Sequence, residues 1–131
     1  MIPKSINHLT ESQWECLNQA YKGLKCNYDE RDWFRDSAKR AITRGFYMQC
    51  KSFKTGFISN NAYLAKGKGN VVCFDHCCIP QAYCFFIMKH WETIGESLDS
   101  FFPHWVIASL GIDVTSEENK KLSKYTVNNK S

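Results

Sequence analysis

Apolar positions first recur at helical spacing near the N-terminus, where Trp14, Leu17 and Tyr21 fall on one face of a 3.6-residue repeat. Thr10 and Gln13 have capping-box spacing, and Leu9 and Trp14 have that of a hydrophobic staple. A helix is therefore predicted from Thr10, with Gly23 as its closing residue. A second helix, carrying Trp33, Phe34, Ala38, Ala41 and Ile42, is predicted to begin after Asn27 or Asp29 and to stop at Gly45. Two such helices form a helical hairpin, for which simple packing is a commoner use than a helix-turn-helix. From Phe46 to Ser59 the helical period is lost, and aromatics with Cys50 and Gly56 point to short strands or a hairpin. Asn60-Asn61 and Gly67-Lys68-Gly69-Asn70 are turn chemistry. Asn70-Val71-Val72-Cys73-Phe74 reads as a strand ending at Asp75-His76, and Pro80 closes the turn that follows. Residues Gln81 to Gly95 read as a helix with Tyr83, Phe86, Ile87, Trp91 and Ile94 on its apolar stripe. The apolar stretch Phe101 to Leu110 is interrupted by Pro103. Gly111 to Thr115 is a second strand, and Thr115 with Glu118 repeats the capping-box spacing, so a last helix is predicted from about Ser116 to Tyr125.

No repeat, low-complexity tract or linker divides these elements. Residues 1–131 are expected to form a single α+β domain, with a helical hairpin over 1–45 and a mixed part over 46–131. The hydrophobic fraction of 44% is ample for one core and excludes a wholly disordered chain. The longest apolar run is far short of a membrane span, and Met1-Ile2-Pro3-Lys4-Ser5 lacks the apolar stretch of a signal peptide. A cytoplasmic location is expected, that of the host if the protein is viral. The seven cysteines are odd in number, which favours reduced thiols over a disulfide framework.

Charge changes the picture more than composition does. Between Ser37 and Phe74 there is no Asp or Glu, against Lys39, Arg40, Arg44, Lys51, Lys54, Lys66 and Lys68. From Asp75 to Glu118 acids dominate and Lys89 is alone, and Lys120, Lys121, Lys124 and Lys130 follow. Phe46, Tyr47, Phe53, Phe57 and Tyr63 lie inside the first basic stretch. Clustering on solvated faces is one account, and a polyanion-binding surface with DNA as partner is the other. On the second, Lys66, Lys68, Lys120 and Lys124 are the expected backbone contacts, placed in turns or on an exposed helix face.

The stretch Phe74-Asp75-His76-Cys77-Cys78-Ile79-Pro80-Gln81 resembles the first half of the HNH (ββα-metal) nuclease motif, in which a strand ends in Asp-His and a Pro follows after a few residues. Ile112-Asp113-Val114-Thr115-Ser116-Glu117-Glu118-Asn119 is similar to the second half, a short strand leading into a helix with Asn in its first turn. The resemblance is to the phage-type members and covers about fifteen positions in two blocks. It implies a ββα-metal-like hairpin–helix core, with about 82–110 as a helical insertion, and a metal-dependent DNA endonuclease. Phosphodiester hydrolysis needs charge neutralised on the phosphate and a base to activate water. By this resemblance Asp75 and Asn119 would be ligands of one divalent ion (Mg²⁺ or Mn²⁺) and His76 the general base.

The chain departs from the family in two places. More than thirty residues, with a helix among them, lie between Asp75-His76 and the second block, where the family usually has a short loop. The family's middle Asn, nine residues before the ligand, is Leu110 here. A second register, with Asn119 as the middle Asn and Asn128 as ligand, needs a strand where Lys120-Lys121-Leu122-Ser123-Lys124 reads as helix, so the first is preferred. The missing Asn keeps open a non-catalytic nucleic-acid-binding or phage inhibitor protein with the same fold. Structural zinc is not expected, since there is no CxxC pair and Cys77 and Cys78 are adjacent. Buried free thiols are expected instead. His90 and His104 read as packing residues.

Overall fold

The computed structural model describes residues 2–30 and 36–120, with side chains at 2–29 and 40–120. After a short 3-10 turn (Ile6–His8), helix α1 spans Glu11–Glu30 and α2 Asp36–Met48. The predicted capping box opens α1: the Gln13 amide donates to Thr10 Oγ1 at 3.2 Å and the Thr10 amide to Gln13 Oε1 at 2.9 Å. Neither helix stops at its predicted glycine. Leu24 and Phe46, each directly after a glycine, are both 2% exposed. Burying such a side chain gains about 1.5–3 kcal/mol, more than the roughly 1 kcal/mol that glycine costs within a helix. Trp33 and Phe34, assigned to the second helix by the sequence, lie outside the described residues.

Among the described residues three strands and five further helical segments follow. Strand β1 spans Phe53–Ile58, α3 Asn60–Gly67, β2 Cys73–His76, α4 Pro80–Lys89, α5 Trp91–Ile94, α6 Leu98–Ser109 and β3 Leu110–Val114, and residues 116–120 form a helical segment, α7. Asn60-Asn61 is the first turn of a helix rather than a loop, because Ser59 Oγ accepts from the Ala62 amide and caps it. Pro103 does not break α6. Ser97 and Ser100 form a capping box at its start, and Phe101, Phe102 and Trp105 bury their side chains around the missing hydrogen bond.

The sheet order is β1-β3-β2, with β1 parallel and β2 antiparallel to β3. The strands expected over 70–74 and 111–115 do pair, as the displaced segments Cys73–His76 and Leu110–Val114: Phe74 opposes Asp113, Asp75 opposes Ile112 and His76 opposes Gly111. Gly111 can be nothing larger, because a Cβ there would meet the Phe74 ring and the Asp75 carbonyl oxygen. β1 is a sheet partner that the sequence left unassigned. It is bulged at Gly56, whose φ of 92° suits glycine.

Residues 82–110 are not an appendage beside the strands. They supply Cys84, Ile87, Met88, Trp91, Ile94, Phe101, Trp105 and Ala108 to the core, which Leu17, Leu24, Ile42, Phe46 and Phe53 complete. The helices thus form one body and the sheet packs on it through Phe53, whose ring meets Trp105 edge-on at 5.5 Å. Among the described residues no helix is long and apolar enough to cross a membrane.

Candidate functional site

The Asp75-His76 pair ends an edge strand of the sheet. Successive strand residues point to opposite faces, so the two side chains diverge around that edge, and a cleft of about 440 Å³ receives both. Asn119, in the first turn of α7, lines the same cleft, with Tyr47 and Ser52 from the α2–β1 region and Ile79, Pro80 and Gln81 from the start of α4. The Thr115–Glu118 capping box holds α7 in place: the Glu118 amide donates to Thr115 Oγ1 at 3.1 Å and the Thr115 amide to Glu118 Oε1 at 2.9 Å. Glu118 also accepts from Ser59 Oγ at 2.6 Å, tying α7 to the cap of α3. That bond, with those from Thr115, keeps the Glu118 carboxyl below its usual range.

His76 is fixed from one side. Its Nε2 lies 3.4 Å from the Lys51 carbonyl oxygen. A carbonyl only accepts, so Nε2 is the nitrogen that donates here, and in the neutral ring the lone pair is on Nδ1. Phe74 and Tyr47 flank the imidazole edge-on at 5.0 and 6.0 Å. Lys51 is itself anchored, because its amide donates to Ser109 Oγ at 3.0 Å and that hydroxyl donates to the Trp105 carbonyl at 2.8 Å. Trp105 Nε1 in turn donates to the Gln49 carbonyl at 2.9 Å. The segment between α2 and β1 that orients the imidazole is thus tied to the centre of the core. Leu110 offers no side-chain hydrogen bond to His76; its side chain packs against the core and its carbonyl accepts from the Cys77 amide at 2.9 Å.

Burial raises the Asp75 carboxyl above its ordinary value of 3.8, and the neighbouring His76 partly offsets this. Among the described residues no Lys or Arg pairs with Asp75. A partly desolvated carboxylate of this kind gains from a cation. Among the described residues no three His, Cys, Asp or Glu side chains gather to hold a metal. A closed cage of protein ligands is therefore absent from that part of the molecule. One carboxylate and one amide oxygen in an open cleft fit a Mg²⁺-like ion, which keeps waters and takes phosphate oxygens in its other positions.

The lysines expected at a nucleic-acid surface part company. Lys68 and Lys120 are exposed, and Lys124 lies outside the described residues. Lys66 is engaged: its Nζ bonds Asp113 Oδ2 at 3.0 Å, while Lys54 Nζ lies 3.5 Å from Oδ1. Asp113 is 7% exposed on the central strand, and the Lys66 bond, followed by the charge of Lys54, holds its carboxyl below the ordinary 3.8. A depressed folded-state pKa contributes stability that is complete above the unfolded value and lost as pH falls through the folded one. Lys66→Met is therefore expected to lower stability by about 1 kcal/mol or less near neutral pH. The gap from wild type should narrow as pH falls below the ordinary carboxylate value of 3.8, as read from urea midpoints across pH.

The thiols are free, yet only partly as expected. Cys84 is buried and Cys50 half-buried, and burial pushes both up to about 12, whereas Cys77 and Cys78 are exposed at the turn after β2. His104 packs as predicted, with Nδ1 2.7 Å from the Tyr83 hydroxyl, while His90 is exposed beside Phe86. Tyr47, Ser52, Gln81 and the Lys51 carbonyl were not singled out from the sequence as cleft residues. Tyr47 left a trace there as an aromatic within the basic stretch, Lys51 as one of its cations and Gln81 as the last residue of the first motif block.

No protein-family model, curated protein or solved structure matches the chain.

Proposed function

We propose that the protein is a metal-dependent DNA endonuclease of the HNH type, hydrolysing phosphodiester bonds at the Asp75–His76–Asn119 cleft. The observation that carries this reading is the arrival of those three residues in one cleft, at an antiparallel strand pair followed by a capped helix. Asp75 and Asn119 would hold one Mg²⁺ or Mn²⁺ ion. When bound, such an ion neutralises charge on the phosphate and the leaving oxygen. His76 Nδ1, its lone pair free while Nε2 is held by Lys51, takes a proton from the attacking water. The Lys51 carbonyl performs the orienting task that the absent middle Asn has in the family. Ile79 and Phe74 line the cleft together with the imidazole.

Leu110 at the middle-Asn position favours a second reading, a nucleic-acid-binding or phage inhibitor protein that retains the fold without the chemistry. Nicking of supercoiled plasmid with and without Mg²⁺ or Mn²⁺ separates the two. Metal-dependent nicking is expected from the wild type, and Asn119→Ala is expected to lose it while Asn128→Ala keeps it. No nicking by the wild type with either ion would remove the nuclease reading. Loss in Asn128→Ala alone would overturn the register and leave the family.

A further inference from the structure

The outer face of α2 leads into the cleft. Arg40, Arg44 and Tyr47 stand at i, i+4 and i+7, which places them on one helix stripe. All three are exposed, and Ile42 and Phe46 on the opposite side are buried. Tyr47 lines the cleft and meets the His76 ring edge-on. Among the described residues neither arginine forms an ion pair, whereas Lys54 and Lys66 are taken up by Asp113. The nearest acid on the helix is Asp36, four residues before Arg40 and without a described side chain, and from Ser37 to Phe74 the sequence has no Asp or Glu. Arg40 to Tyr47 rises about 10 Å along the helix.

We propose that this stripe is the track along which an unpaired DNA strand runs into the cleft. The Arg40 and Arg44 guanidiniums hold neighbouring phosphates, which their forked donors suit better than an ammonium does. The exposed part of the Tyr47 ring stacks on the base beside the phosphate presented to His76. The track rests on reading the cleft as a nuclease site, and it replaces Lys66 as the principal backbone contact. An unpaired strand is favoured over a duplex because the aromatic at the cleft mouth needs a free base face.

The test is fluorescence anisotropy of a labelled single-stranded oligodeoxynucleotide, titrated in EDTA over a range of salt so that nothing is cleaved. Arg40→Gln with Arg44→Gln should weaken binding and flatten the slope of log affinity against log salt by about 1.4, the loss of two single-strand phosphate contacts. Arg40→Lys with Arg44→Lys should restore most of that slope, which also excludes misfolding as the cause. Tyr47→Ser should weaken binding about five- to hundred-fold and Tyr47→Phe should not. Lys22→Gln with Lys25→Gln removes the same charge from the exposed side of α1 and should leave the slope unchanged. An unchanged slope in the arginine variant, an equal loss in the α1 variant, or a duplex of the same sequence binding tighter than the single strand would overturn the track. Normal plasmid nicking with an unchanged arginine slope discards the track alone. The predicted slopes from a protein that never nicks discard the nuclease chemistry alone.

Discussion

Alanine at position 76 is expected to lower metal-dependent nicking by about a hundred- to ten-thousand-fold, the usual worth of a general base, while DNA affinity stays near wild type. The imidazole sits at the edge of the sheet, between the Tyr47 and Phe74 rings, with one nitrogen committed to the Lys51 carbonyl. No other described side chain in the cleft joins a lone-pair nitrogen to such an anchor. Gln81, Ser52 and Asn119 are poor bases, and Asp75 is assigned to the cation. Removing the ring leaves the strand pairing intact, since His76 holds its register opposite Gly111 through the backbone. Nicking rates and anisotropy measured on one preparation, with thermal unfolding as a check, decide the matter. Wild-type cleavage by the His76→Ala variant would end the proposed mechanism.

The largest effect on stability is expected at Gly111. Its Cβ would meet both the Phe74 ring and the Asp75 carbonyl oxygen. A ring can swing aside, but the carbonyl belongs to the backbone of the neighbouring strand, so β2 and β3 must part. Gly111→Ala is expected to cost about 3 kcal/mol, a fall in Tm on the order of 10 °C, with loss of activity because the parted strand carries the candidate base. Gly23→Ala is the comparison. No neighbour crowds a Cβ there and the backbone is helical, so it should gain about 0.5–1 kcal/mol. Equal stability of Gly111→Ala and wild type would show that the two strands are not packed as described.

The parts of the molecule that could be read from the sequence are those whose signals are local. Both Thr capping boxes, the strand before Asp75-His76 and the strand before Thr115 declare themselves within a few residues. The signals that misled were local as well, and a distant partner outweighed each. Gly23 and Gly45 failed to end their helices because Leu24 and Phe46 belong to a core completed by residues far along the chain. Pro103 was absorbed because Trp105 and Phe101 fill that core. Lys66 looked like a free cation in a turn, and only the fold brings Asp113 to it. In the cleft, Asp75, His76 and Asn119 carried a motif and could be named, whereas the Lys51 carbonyl carries no side-chain signature. Its place against His76 depends on Ser109 and Trp105, more than fifty residues later.

The strand order also governs when the site can exist. The middle strand of the sheet, β3, is the last of the three in the sequence, and the two outer strands do not touch each other. A growing or refolding chain that has placed β1 and β2 still has no sheet. Residues 82–110 must first lay down their helices against the N-terminal pair and carry β3 into the gap. Ordering so many residues before any strand pairs is a long-range closure of the kind that slows folding. The reward is timing: Asp75 and His76 stay apart from Asn119 until the whole body of the protein is complete. A partly made or partly unfolded chain therefore has no assembled cleft.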